Sequence, residues 1–425
     1  MFKDLKGLFV KKNNDLRHRL YLTIAVLTLY IIGTTIEIPG TQEITKNLGF
    51  LELLNVMGGG ALKRFSIFSL GVIPYITASI VIQLLQMDIV PYFSDLQKQG
   101  HTGKQKINKI TRYLGIFFAF IQGYAMSYAF LGDASVLQYI ETAFIMTAGT
   151  AFLLWLGDQV TQKGFGNGTS LIIMAGIVAS LPATMQTAFT ELVKFDSTEL
   201  IISGGAKFLL FLIVCFLVVV GVIFVEGAQR KINIQYANKS TANLGKQTYM
   251  PIKLNSAGVI PVIFASSLLA VPITIAQFIN KEGFSNFVNS YLDYTKPVGL
   301  VLYVILIIFF SYFYTFVQMK PDQMAKNLKD NGGYVPGLKP GKDTEKYFST
   351  LLIRLTTVGA VFLAALSAFP VLLNMISGLP QSVSIGGTGL LIVVGISIET
   401  YKQIESSLLS RGYTSATTRK RRARR

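Results

Sequence analysis

The chain has 425 residues, of which 51% are hydrophobic and only 14% charged, with a mean hydropathy of +0.49. A soluble globular protein carries about 25% charged residues, so the composition excludes that class and implies an integral membrane protein. The formal net charge of +17 is large beside so small a charged fraction, and an excess of Lys and Arg on the inner side of a membrane is its first explanation.

The apolar runs are continuous and about twenty residues long, which predicts spanning helices and excludes the short alternating pattern of a β-barrel. Ten runs are long enough to cross, near 20–38, 70–86, 112–131, 139–156, 169–187, 205–225, 258–279, 298–317, 351–370 and 386–404. The first follows Lys11, Lys12, Arg17 and Arg19 and lacks a small-residue cleavage site, so it reads as a retained span and not a signal peptide. Alternate connecting segments (1–19, 87–112, 157–168, 226–255, 317–350 and 402–425) hold 31 Lys and Arg, against 7 in the remaining set. That asymmetry predicts ten crossings with both termini in the cytoplasm.

In chain order, the first unusual segment is Glu52 to Phe65, ELLNVMGGGALKRF. It is too short and polar to span, and Gly58, Gly59 and Gly60 break a helix. It is either a re-entrant segment on the outer side, buried in protein or lining a cavity, or an ordinary external loop.

The second span starts GVIPYITAS at Gly71, and the seventh starts GVIPVIFAS at Gly258. Gly71, Val72, Ile73, Pro74, Ile76, Ala78 and Ser79 match residues of the later copy at a constant offset of 187. The two spans cross in opposite directions, and each is second in a five-span half. This is the signature of an inverted repeat whose halves meet at mid-membrane. Val72 and Ile76 share a helix face, as do Val259 and Ile263. Pro74 and Pro261 fall in the first turn, where a missing donor costs little. Packing alone explains such faces; their duplication favours a functional one.

Gly164, Gly166 and Gly168 alternate before the fifth span. No strand precedes them and the chain has no Gly-x-x-x-x-Gly-Lys-Ser/Thr loop, so phosphate binding is not indicated. Asn167 and Thr169 are expected to cap the next helix, in which Thr169 and Ile173 share a face. Cys215 lies inside an apolar run as a packing residue, and one cysteine makes no disulfide framework. Loop 226–255 carries Arg230, Lys231, Lys239, Lys246 and Lys253. Loop 317–350 contains DNGGYVPGLKPGKDTEKY, whose Gly and Pro set turns that project Lys339, Lys342 and Lys346. It is either a solvated loop or a docking finger for an acidic partner. The tail ends RKRRARR, suited to anionic lipid or to RNA phosphate.

Nothing points to catalysis, a metal or a cofactor. The two histidines, His18 and His101, lie in basic segments without metal-ligand spacing. Acidic residues are nearly absent from mid-span, with Glu399 and Glu405 near the inner end of the last run. Both an ion-coupled transporter and a membrane enzyme lack the groups they need.

Five motifs, GGALKRFSIFSLGVIPYITASIVIQLL, WLGDQVTQKGFGNGTSLIIMAGIVASLP, KLNSAGVIPVIFASS, KNLKDNGGYVPGLKPGKDTEKY and GGTGLLIVVGISIET, occur in order along nearly the whole chain. With them the chain resembles the SecY/translocon alpha-subunit family of protein-conducting channels. The resemblance implies an all-α membrane protein with ten helices in two pseudo-symmetric halves around a pore: residues 1–190, residues 191–405, then a basic tail, 406–425. It implies an apolar pore ring of Val72, Ile76, Thr169, Ile173, Ile263 and Ile392. It implies a plug at about 50–64, containing Asn55, Gly58, Gly59 and Gly60. Spans 2 and 7 would form a lateral gate bearing Ser79, Gln83 and Ser266.

The same resemblance assigns loops 226–255 and 317–350, through Arg230, Lys231, Lys246, Lys339 and Lys342, to docking of the motor ATPase SecA or a ribosome. It implies the small subunits SecE and SecG, clients bearing signal sequences, and a place in the bacterial cytoplasmic membrane, where the tail meets anionic lipids. Three departures stand out. Thr169 occupies a ring position that is usually aliphatic, and Lys339 replaces an arginine, which keeps charge but loses the planar fork. Residues 100–106 read GHTGKQK where an acidic residue and paired arginines are usual. These leave room for an accessory translocase with a narrow client set, and an inverted-repeat secondary transporter is the more distant alternative.

Overall fold

Among the described residues each apolar run falls largely within a helix, and several helix ends follow from local chemistry. The computed structural model describes residues 14–41, 44, 51–86, 90–132, 134–194, 198–236, 248–279, 282–294, 296–377 and 389–408. The elements are α1 (Asn14–Thr34), α2 (Leu51–Met57), α3 (Ile73–Leu85), α4 (Pro91–Lys98), α5 (His101–Phe130), α6 (Val136–Lys163), α7 (Gly168–Leu192) and α8 (Thr198–Gly227). There follow β1 (Gln229–Tyr236), β2 (Thr248–Lys253), α9 (Ile260–Ile279), α10 (Glu282–Tyr291), α11 (Pro297–Met319), α12 (Pro321–Asp330), β3 (Gly333–Tyr334), α13 (Lys342–Ser377) and a helix over 389–408, α14. Among the described residues seven helices are long and apolar enough to cross a membrane, while α3 and the Ile260–Ile273 part of α9 are shorter apolar helices. At about 1.5 Å per residue, the 13 residues of α3 fall short of a hydrocarbon core about 30 Å thick.

Starts and stops are explicit. Ser135 and Gln138 form a reciprocal capping box on α6, which ends at Gly164. The Asn167 side chain accepts from the Thr169 N–H at 3.1 Å and caps α7. Thr169 is the second residue of that helix, so its expected capping role falls to Asn167 alone. α5 begins directly after Gly100, a left-handed residue at φ +67°.

Three segments expected as loops are structured instead. Most of 87–112 is α4 and the start of α5, so GHTGKQK from His101 onward is helical. Lys and Gln are good helix formers, and a helix does not stop where its hydropathy falls. Loop 226–255 contains the β1–β2 hairpin, paired from Gln229↔Lys253 to Ile234↔Thr248. Loop 317–350 holds α12, β3 and the first turns of α13. β3 pairs with β1, giving a sheet of order β2-β1-β3.

The chain divides into two compact units: Met1–Glu191 with Ala270–Asn289 and Pro380–Arg425, and Leu192–Leu269 with Ser290–Leu379. In the first, small residues let backbones approach closely. The Phe68 ring fills the place of a side chain at Gly33, and the Ile67 carbonyl does so at Gly149. Tyr30 stacks on Phe68 with ring centroids 6.1 Å apart. In the second unit, Ile232, Ile234, Ile252, Ala325, Leu328, Val335, Phe348 and Leu352 form a core beneath the sheet. α8 is apolar all round and leaves Ile202 69% and Phe224 78% exposed, as suits a helix surrounded by hydrocarbon.

Candidate functional site

The repeated GVIP element has the same construction twice. Gly71 and Gly258 are both left-handed, at φ +55° and +61°. A Cβ at either would meet nothing within 4 Å, so glycine is required there by its backbone angle and not by crowding. Two residues later α3 and α9 begin, at Ile73 and Ile260, and Pro74 and Pro261 take the second helical position. The turn ends with Val72 and Ile76 one helical turn apart, the Ile76 N–H donating to the Val72 carbonyl at 3.1 Å. The Ile263 N–H donates to the Val259 carbonyl at 3.4 Å in the same way. All four side chains are buried.

The remaining ring candidates lie on α7 and α14. Ile173 and Ile392 are buried and Thr169 is half-buried. These two helices pack antiparallel in the first unit. A Cβ at Gly389 would meet Ile177 at 2.8 Å. Farther along, the Ser397 hydroxyl donates to the Met174 sulfur at 3.4 Å, and the Gly166 N–H donates to Gln403 Oε1 at 2.7 Å. Ile173 and Ile392 therefore share one stretch of a packed helix pair. Val72, Ile76, Thr169, Ile173 and Ile392 belong to the first unit and Ile263 to the second.

Residues 54–59 are buried rather than solvated. α2 ends at Met57, and after Gly58 the chain continues through Gly59 and Gly60 at φ +73° and +81°. Gly59 lies against Gly176 of α7, where an added Cβ would be 3.3 Å from the Gly176 Cα. The reciprocal Cβ, on Gly176, would be 2.2 Å from the Met57 carbonyl oxygen. The Ser180 hydroxyl donates to the Val56 carbonyl at 3.2 Å. Asn55, 6% exposed, organises the turn from within. Its Oδ1 accepts from the Lys63 N–H at 3.0 Å, its Nδ2 donates to Glu52 Oε1 at 3.2 Å, and its carbonyl accepts from the Gly60 N–H at 2.8 Å. Sequence reasoning missed Gly176 and Ser180, because a glycine within an apolar run carries no sign of what backbone it admits.

Ser79 and Gln83 bond each other, Nε2 to Oγ at 2.9 Å, while Gln83 Oε1 is buried without a partner among the described residues. Ser266 is buried and donates to the Ile263 carbonyl at 2.9 Å. On the sheet, Arg230 and Lys231 are exposed, with the Lys231 ammonium 4.8 Å from the centre of the Tyr249 ring. Lys339 and Lys342 are exposed on either side of the turn between β3 and α13. The β1–β3 pairing, reinforced by the Tyr334 hydroxyl donating to Gln235 at 2.8 Å, brings the two basic segments into one surface. The alternation of Ile232 and Ile234 in QRKINIQY was the signal for a strand. Lys246 and the tail beyond 408 lie outside the described residues.

The sequence profile of the SecY family matches residues 66–401. The chain belongs to the SecY family. Within it, the protein translocase subunit SecY of Staphylococcus epidermidis is 48% identical over 429 aligned positions, spanning 97% of this chain and 99% of the relative. Its Staphylococcus aureus counterpart is 49% identical over 419, spanning 95% and 96%. Among solved structures, one described as a protein-conducting channel superimposes with a TM-score of 0.64 at 21% identity, covering 92% of each chain. Sec61 in a canine ribosome–channel complex gives 0.62 at 21% identity, again with 92% of each. These likenesses establish the helical SecY/Sec61 fold, and the protein is a multi-pass membrane protein.

Proposed function

We propose that this protein is the channel subunit of a bacterial protein translocase in the cytoplasmic membrane, passing unfolded preproteins across and releasing apolar helices sideways. The near full-length identity to protein translocase subunits carries this reading. The channel has ten spans in two halves, 1–190 and 191–405, with both termini inside. Val72, Ile76, Thr169, Ile173, Ile263 and Ile392 form its constriction. A ring that is branched aliphatic at every position but Thr169 is a dry gate that resists ions yet yields to a passing chain, and it selects no particular sequence.

Residues 50–64 plug the outer side, and their seat on Gly176 supports that role. Spans 2 and 7, with Ser79, Gln83 and Ser266, part toward lipid, so a helix of about 20 apolar residues can partition out. The subunit is not itself an enzyme. The basic segments 226–255 and 317–350, through Arg230, Lys231, Lys246, Lys339 and Lys342, receive an acidic motor surface such as SecA or ribosomal RNA. SecE and SecG complete the assembly, and the tail meets anionic lipid.

The test is photocrosslinking. A photoreactive residue at Ile76 is expected to capture a stalled nascent chain bearing a signal sequence, while one at the exposed Phe224 is not. No adduct at Ile76 with a chain known to be engaged would remove that residue from the path.

A further inference from the structure

We propose that Glu226 and Asn255 are positioning residues that couple the basic sheet to the head of α9; the inference rests on the docking reading above. Glu226 is the penultimate residue of α8, 7% exposed, and Asn255 is 4% exposed. A carboxylate at a helix C-terminus is disfavoured by the helix dipole, and burial costs it hydration. Among the described residues it takes a short bond: Asn255 Nδ2 donates to Glu226 Oε1 at 2.6 Å. The same amide donates to the Gly258 carbonyl at 3.0 Å. Its two hydrogens thus join the end of α8 to the left-handed turn that starts α9.

The path from sheet to turn has no slack. The Leu254 N–H donates to the Ala228 carbonyl at 3.0 Å, extending the β1–β2 ladder to the base of the sheet. The next residue is Asn255, whose backbone lies on Gly359 of α13, where an added Cβ would be 3.3 Å from the Asn255 Cα. Gly258 follows three residues later. A displacement of the hairpin therefore moves the Gly258 carbonyl and, with it, the first turn of α9.

The repeat supplies an internal comparison. In the first half the equivalent carbonyl, of Gly71, accepts from the Thr150 hydroxyl on α6 at 3.1 Å. There the turn is tied to a spanning helix. Only in the second half is the same carbonyl tied, through Asn255 and Glu226, to the base of the sheet. The two halves share a turn and differ in what holds it, as expected if one responds to docking and the other does not.

The test uses the full-length chain in proteoliposomes, with Cys215→Ser and Ser267→Cys, Ser267 being buried on α9. The readouts are ribosome affinity and the rate of maleimide labelling at position 267, with and without non-translating ribosomes. Ribosomes are expected to accelerate labelling in the parent. Glu226→Ala and Asn255→Ala should bind ribosomes with the parental Kd but lose about tenfold of that acceleration, the scale of a lost hydrogen bond to a buried charge. Glu226→Gln, which keeps an acceptor oxygen opposite Asn255, should retain it. Should Glu226→Ala not accumulate, Asn255→Ser, too short to reach Glu226, answers the same question. Parental acceleration in the alanine variants, its loss in Glu226→Gln, or bound ribosomes that leave the parent's labelling unchanged would each overturn the coupling. Failure of ribosomes to bind the parent would instead remove the docking reading, and this inference with it.

Discussion

Replacing Gly176 with alanine tests whether the α2 segment is a seated plug. The new Cβ would sit 2.2 Å from the Met57 carbonyl oxygen, 2.8 Å from the Tyr30 hydroxyl and 3.1 Å from the Gly59 nitrogen. Restoring van der Waals separation requires α2 to retreat by about 1 Å. Overpacking of this kind costs about 1–3 kcal/mol. The retreat also breaks the Ser180–Val56 hydrogen bond, worth about 1 kcal/mol. The seat is then weaker by about 2–4 kcal/mol, or between about 30-fold and several hundred-fold in the seated-to-unseated ratio at about 1.4 kcal/mol per decade. Single-channel recording in planar bilayers should show frequent openings without substrate, and a preprotein with a crippled signal sequence should be transported better. The control is Gly103→Ala, whose Cβ would lie 1.7 Å from the Leu96 carbonyl oxygen, at the α4–α5 turn. That clash is as severe but touches no residue of the α2 segment, so it should leave the membrane sealed. Parental conductance in Gly176→Ala, or equal leak from both variants, would refute the reasoning.

Two further outcomes follow from the same architecture. Changing Ile76 and Ile263 together to asparagine should wet the constriction and raise ion conductance at least tenfold, since a hydrophobic gate depends on dewetting; a tight seal in planar bilayers would dismiss the ring. Lys339→Glu reverses charge on the exposed turn before α13 and should cut motor-driven transport severalfold while leaving the amount of assembled channel unchanged, as read from preprotein protection in inverted vesicles; transport at the parental rate would remove the turn from the docking surface.

What was legible in the sequence is what local chemistry decides. Apolar runs of spanning length become helices because a backbone in hydrocarbon must satisfy itself. Gly71 and Gly258, each followed three residues later by proline, encode the same left-handed turn and helix start, and both adopt it. The family was legible for the same reason, since its motifs are strings of such local demands. Where helices ended outside the apolar runs was less so: hydropathy marks the membrane boundary, but Lys- and Gln-rich sequence from His101 onward continues the helix past it. The tertiary structure alone decided the long-range contacts. Nothing near Tyr334 announces a pairing with Gln235, 99 residues earlier, and nothing near Gly176 announces the carbonyl of Met57. Strand partners and close backbone approaches depend on which surfaces the folded chain brings together. A glycine or a two-residue strand records only that such an approach is sterically permitted.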